Sequence, residues 1–216
     1  MARKTKAEAE LTRHRIVECA REVFSREGVT NTSLERIAQE AGVTRGAVYW
    51  HFRNKADLFM AVRTDTGTLL RLSNEPGRDP LHRLEISLLE AIRRLGEEDK
   101  ARQTYEVMLW KCEYVGEFSS VRDDLMTIGR SFIEDVTRLY SEAKVAQLTA
   151  PDLNPAHAAL ETFCLYSGMI KIWLAVTPQS GRREQFTGMI RQHIAGRRQA
   201  AGPRLTSRTR PYKKKS

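Results

Sequence analysis

Between Ser33 and Lys55 the chain gathers side chains suited to contact with a polyanion. Arg45 carries a planar guanidinium fork of the kind that donates two parallel hydrogen bonds to guanine O6 and N7. Tyr49, His51 and Lys55 have the reach to touch phosphate oxygens, and Ser33 and Thr44 offer hydroxyls at helix starts, where free backbone N–H groups also favour anions. Gly46 has no side chain, so the backbone there can approach a surface closely. On a helical wheel of about 100° per residue, Val48 and Phe52 fall about 40° apart and face inwards. Gly46 and Trp50 then lie on the opposite side, with Arg45 and Tyr49 flanking them. A helix that turns arginine, glycine and aromatics outwards needs a partner on that face. The same residues also suit a second arrangement, two helices of an ordinary bundle with Tyr49 and Trp50 as core, because a helix-glycine-helix pattern is common.

These side chains depend on short helices to place them. Ile16, Cys19, Ala20, Val23 and Phe24 are spaced as one face of a helix over residues 12–27, and Gly28 stops it. Ser33 caps a second helix, with Arg36 rather than an acid three residues on, so the capping box is incomplete. That helix ends at Ala41-Gly42-Val43, where Gly42 permits a tight turn. Thr44 caps the third helix, 45–52, and Asn54 caps a fourth beginning at Lys55. Beyond residue 60 every pattern is helical. Asp79-Pro80 opens a helix to Leu95, and further helices are expected over 101–115, 121–145, 156–176 and 182–194. Sustained alternation with a period of two is missing, so the fold class is all-α.

Composition narrows the function classes. Hydrophobic residues make up 41% and charged ones 29%, which excludes wholesale disorder. There is no run of 18 or more apolar residues, and Met1 to Glu10 lacks the apolar stretch of a signal peptide. Three widely spaced cysteines, Cys19, Cys112 and Cys164, fit a reducing cytoplasm, and Cys112 and Cys164 are expected to be buried, inert thiols. The net charge of +9 sits in the tail, because residues 191–216 hold nine basic side chains and no acid. That leaves 27 basic against 27 acidic residues in 1–190, so a high isoelectric point does not argue that the folded part binds nucleic acid. No histidine pair has metal-ligand spacing, and neither a phosphate-binding loop, a nucleophile elbow nor a carboxylate pair suggests catalysis or a cofactor.

The run Gly42-Val43-Thr44-Arg45-Gly46-Ala47-Val48-Tyr49-Trp50-His51-Phe52-Arg53-Asn54-Lys55-Ala56-Asp57-Leu58-Phe59 resembles the DNA-binding domain of TetR-family repressors, as do Phe24 and Gly28. Lys111-Cys112-Glu113-Tyr114-Val115-Gly116-Glu117 and Tyr166 to Leu174, followed by Pro178 and Ser180, are similar to the AcrR-type subgroup, whose members repress multidrug efflux pumps. The resemblance covers about residues 5–195 and implies a TetR-like fold of about nine helices. Residues 1–60 would form the helix-turn-helix domain, 61–195 a ligand-binding and dimerisation domain, and 196–216 a disordered basic tail. It further implies a cytoplasmic homodimer on a palindromic operator, nucleoid-associated while bound and released by small apolar or drug-like ligands. DNA contacts fall on Ser33, Thr44, Arg45, Gly46, Tyr49, Trp50, His51 and Lys55. Local alignment places the ligand against Tyr105 and Leu109, Phe132 and Val136, and Phe163, Tyr166, Ser167 and Ile170, with Leu84 and Leu88 as weaker additions. Some AcrR-type proteins place an aromatic and a glutamate near the start of the ligand domain, where Arg63 and Gly67 stand here, so a preference for cations is not carried over. The competing readings are a helical binding protein of the same fold that controls other genes or none, and a helical enzyme on the same scaffold.

Overall fold

A computed structural model describes residues 6–67, 69, 72, 78–175 and 181–198. Among them the chain forms nine α-helices: α1 (Lys6–Glu27), α2 (Leu34–Glu40), α3 (Arg45–His51), α4 (Lys55–Thr66), α5 (Pro80–Glu97), α6 (Asp99–Trp110), α7 (Ser119–Val145), α8 (Pro155–Ala175) and α9 (Arg182–Ala195). Pro178, Ser180 and the break at 73–77 lie outside the described residues.

The caps form where the sequence puts them. Ser33 Oγ accepts the Arg36 N–H, Thr44 Oγ1 the Ala47 N–H, and Asn54 Oδ1 the Asp57 N–H. Asp79 accepts from both Leu81 and His82 ahead of Pro80. Each cap satisfies a backbone donor that the helix itself leaves open. Gly42 takes a φ of +61°, the left-handed conformation that reverses the chain between α2 and α3.

Two expectations about boundaries are corrected. The helix expected over 101–115 stops at Trp110, and 111–115 is irregular before a 3-10 turn at Gly116–Phe118. The reason is packing. Lys111 turns its carbonyl to the Val29 N–H at 2.8 Å, and the Tyr114 hydroxyl donates to the Met108 carbonyl at 2.5 Å. The folded body also runs past residue 195. Arg197 pairs with Glu161, Arg198 pairs with Asp79 at 2.5 Å, and Arg198 bridges to Thr149. These two arginines find acids far away in the chain, which no local spacing predicts. Residues 199–216 lie outside the described residues.

The apolar residues gather in two cores. One holds Ile16, Ala20, Phe24, Ile37, Val48, Phe52, Leu58 and Phe59 from α1–α4, completed by Val107, Phe118 and Val121. Phe59 meets Phe118 edge-on at 5.7 Å and Tyr114 at 6.3 Å. The first four helices are therefore not self-sufficient at a boundary near residue 60, since α6 and the start of α7 close their core. The second core joins α5, α7, α8 and α9 around Leu84, Leu88, Tyr140, Tyr166 and Ile190. α6 serves both, with Val107 in the first core and Tyr105 against the second.

Candidate nucleic-acid interface and effector site

The outer face of α3 stands clear of the packing. Val48 and Phe52 are buried, whereas Tyr49 is 45% exposed and Trp50 72%. Leaving a large aromatic in water costs burial free energy that a core position would recover, so this exposure marks a contact surface. Thr44, Arg45 and Gly46 are exposed beside them, Ser33 at the start of α2 is exposed as well, and His51 is half-buried with its ring against Trp50 at 4.5 Å. The alternative that puts Tyr49 and Trp50 in a bundle core is thereby excluded.

Arg45 is not loose on this face. Its Nε pairs with Glu35 on α2 at 2.9 Å, and its guanidinium lies over the Tyr49 ring at 5.2 Å. The Tyr49 hydroxyl donates to the same Glu35 oxygen at 3.4 Å. In the sequence Glu35 is one acid among many at a helix start, and nothing in its spacing points to Arg45. Only the fold brings α2 across α3 so that its carboxylate orients the arginine. With Nε occupied, the two terminal nitrogens keep their donors for another partner.

Lys55 also serves the fold itself. The sequence sends it to a phosphate, yet its ammonium donates to the carbonyls of Thr30, at 3.2 Å, and Thr32, at 2.9 Å, and lies over the Phe118 ring. Two of its three donors thus hold the turn that enters α2, because a buried-edge carbonyl pair competes strongly for a nearby cation.

The residues expected to line an effector site divide. Tyr105, Phe132, Val136, Tyr166 and Ile170 share one cluster with Leu84 and Leu88. Phe132 stacks on Tyr166 at 5.8 Å and 19°, and packs against Phe163 at 5.6 Å. Ser167 is half-buried on the same helix. Leu109 stands apart from them: it is 36% exposed near the end of α6 and joins neither core. Cys164 is also exposed, contrary to expectation, on the outer side of α8. Cys112 is half-buried, and burial pushes its thiol up to about 11, consistent with an unreactive thiol.

The end of α4 is gripped by α5 and α6. The Thr66 hydroxyl meets that of Thr104 at 2.7 Å in a buried contact, and the Tyr105 hydroxyl accepts the Leu69 N–H at 3.2 Å. Arg94 donates to the carbonyls of Leu69 and Thr66, both at 3.3 Å. Asp65 draws in Arg21 of α1 at 2.5 Å and Lys100 of α6 at 2.7 Å. These contacts tie the helix that follows α3 to the helices around Tyr166. Leu160, Cys164, Gly168 and Ile172 repeat every four residues along α8, and Leu160 and Ile172, like Met189 of α9, are about half exposed.

A helix-turn-helix unit with an outward arginine and exposed aromatics, coupled to a helical body with an aromatic interior, defines a transcriptional regulator of the two-domain kind. Residues 16–62 match the model of bacterial regulatory proteins of the tetR family. Residues 79–185 match that of the C-terminal region of MAATS-type transcriptional repressors. The chain is 36% identical to the HTH-type transcriptional regulator AcrR of Shigella flexneri over 83% of its own length and 86% of the relative's. It is 32% identical to the regulator TtgR of Pseudomonas putida, covering 81% of this chain and 85% of that one. The crystal structure of NalD, the secondary repressor of the MexAB-OprM multidrug efflux pump in Pseudomonas aeruginosa, superimposes with a TM-score of 0.79 at 31% identity, over 89% of this chain and 98% of that one. The chain belongs to the TetR family of transcriptional regulators.

Proposed function

We propose that the protein is a homodimeric repressor of a multidrug efflux operon, released from its operator by small hydrophobic or drug-like ligands. The observation that carries DNA binding is the outward face of α3, where Arg45, Tyr49 and Trp50 are exposed on an otherwise well-packed unit. Arg45 reads a base edge in the major groove. Ser33 and Thr44 contact phosphates through helix starts, Tyr49 and His51 through their side chains, and Gly46 admits the sugar-phosphate backbone. Lys55 has one ammonium N–H left for a phosphate besides the two given to the turn. The half-exposed apolar stripe of α8, with α9, pairs with its copy as a four-helix interface. A two-fold pair of recognition helices then spans half-sites about 34 Å apart, one turn of the duplex.

Release follows from the grip on α4. A ligand seated among Tyr105, Phe132, Phe163 and Tyr166 lies one side chain away from the Leu69 and Thr66 contacts that fix the end of that helix. Ligand that favours a different placing of α4 changes the separation of the two α3 helices and lowers operator affinity. The effect is a difference in affinity between two states, not a block at the DNA surface. Control of efflux is supported by the relatives, NalD among them, that repress such pumps. These roles place the protein in the bacterial cytoplasm and on the nucleoid while bound. Gel-shift titration on the DNA upstream of the protein's own gene, with and without efflux-pump substrates, tests the reading. A retarded band lost on adding drug is expected. Equal affinity for scrambled duplex, or a band insensitive to every substrate of the neighbouring pump, overturns it.

A further inference from the structure

Glu35 is an acid on a surface that has to meet phosphates. It stands exposed in the first turn of α2 and reaches across to the outward face of α3. Its Oε1 takes the Arg45 Nε–H at 2.9 Å and the Tyr49 hydroxyl at 3.4 Å, while the Arg45 guanidinium lies over the Tyr49 ring at 5.2 Å. The three side chains close a triangle, and two of them belong to the face that meets DNA. The carboxyl stays ionised. Its own helix-start N–H holds it below the usual carboxylate range, against desolvation, and the Arg45 charge and the Ser33 and Tyr49 hydroxyls add to that. A negative charge there repels phosphates on every duplex, a cost in affinity that a gain in discrimination can offset. What is discriminated follows from Arg45. A loose guanidinium bonds to a phosphate as readily as to guanine, and phosphates are present on every sequence. An Nε tied to Glu35 and a plane resting on Tyr49 restrict where the fork can point. Resting on the reading of α3 as the recognition helix, we propose that Glu35 is a positioning residue that sets operator selectivity: it aims the Arg45 fork at a base edge and holds it back from phosphates. To bond a phosphate the fork must leave Glu35 and strand that acid beside a second anion, whereas a base edge brings no second anion.

Purified full-length protein is titrated by fluorescence anisotropy against the duplex upstream of its own gene and a scrambled duplex of the same composition. Glu35→Gln keeps the shape of the side chain and removes its charge. The ratio of operator to scrambled affinity is expected to fall about fivefold or more, chiefly because scrambled duplex binds tighter once Arg45 is free to take phosphates. The melting temperature should stay within about 2 °C of the parent's, since the pair with Arg45 is exposed. In an Arg45→Ala background the same change should move the ratio by less than about twofold, because the residue through which Glu35 acts is gone. An unchanged ratio in Glu35→Gln leaves only plain repulsion, which acts on both duplexes alike, and overturns the proposal. An equal fall in the Arg45→Ala background also overturns it, because Glu35 would then act without Arg45. A parent that does not separate the two duplexes overturns the reading of α3 itself, and this inference with it. A parent that separates them beside a Glu35→Gln variant that separates them as well overturns the role of Glu35 alone.

Discussion

Around α3 the side chains that matter stand outside the packing, while around Tyr166 they stand within it. Arg45 is two-thirds exposed, held only by Glu35 and the face of Tyr49. Tyr166 is enclosed, and its hydroxyl is the atom left unsatisfied. An exposed site carries its cost as apolar surface in water and leaves stability untouched when it is altered. An enclosed site carries its cost as a missing hydrogen bond, and most changes there also disturb a core. The same contrast runs through the two cores. The DNA-binding core borrows Val107, Phe118 and Val121 from the effector region, whereas no residue of α1–α3 enters the core around Tyr140. Support thus passes one way, and the DNA-binding unit depends on its neighbour for closure.

That dependence makes the first way to break the comparison. Phe59 is fully buried and touches both Tyr114 and Phe118. Phe59→Ala is expected to destabilise the protein by about 3–5 kcal/mol, as large-to-small changes in a packed core do. Urea unfolding followed by tryptophan fluorescence would check it. A loss below about 1 kcal/mol would mean that the two cores are independent.

Arg45→Ala should behave in the opposite way. It is expected to weaken operator binding by about 1–3 kcal/mol and relax the base preference at one position per half-site, with the melting temperature unchanged. Lys55→Ala sharpens the distinction on the same surface. Because its ammonium holds two carbonyls of the turn, the variant should lose about 1 kcal/mol of stability and weaken specific and random DNA alike. Anisotropy titrations on operator and scrambled duplex, paired with thermal melts, separate the two. An Arg45 variant with unchanged selectivity would reduce that residue to a phosphate contact.

A smaller effect is expected from pH. His193 Nε2 meets the Thr162 hydroxyl at 2.8 Å, and Thr162 also meets Tyr140, linking α7, α8 and α9. Burial, with Arg197 nearby, lowers the pKa of this imidazole below the ordinary value of 6.5. The unfolded chain therefore binds the proton more readily, so stability is full above about pH 6.5 and falls as the pH drops through that value. His193→Gln retains a donor towards Thr162 and should melt with a shallower decline between pH 7.5 and 5.5. Parallel pH profiles for the variant and its parent would refute the assignment.

The tail gives the smallest change. Deleting residues 199–216 removes six of the nine basic residues that follow residue 190 and spares Arg197 and Arg198. It should weaken binding to scrambled duplex at low salt with no change in stability or base preference. Deleting from Arg197 onwards also removes the pairs with Glu161 and Asp79, at a further cost of about 0.5 kcal/mol after screening of these partly exposed groups. Superimposable curves for full-length and truncated protein at two salt concentrations would leave the tail without a role on DNA.

The sequence by itself determined the helices and the face that α3 turns outwards. Ser33, Thr44, Asn54 and Asp79 cap where they stand because capping is a local bond between a side chain and an N–H two or three residues on. Val48 and Phe52 point inwards because a 3.6-residue period leaves them no other side. Tertiary structure decided what lies between elements distant in the chain. The pairing of Glu35 with Arg45, the diversion of Lys55 into a turn and the pairs that hold Arg197 and Arg198 all join residues whose spacing carries no period. Tyr166 could be read as apolar lining from its spacing, but whether its hydroxyl finds a partner depends on every helix packed around it. Satisfaction of a buried polar atom is a property of the assembled interior, so only the fold could leave that atom open.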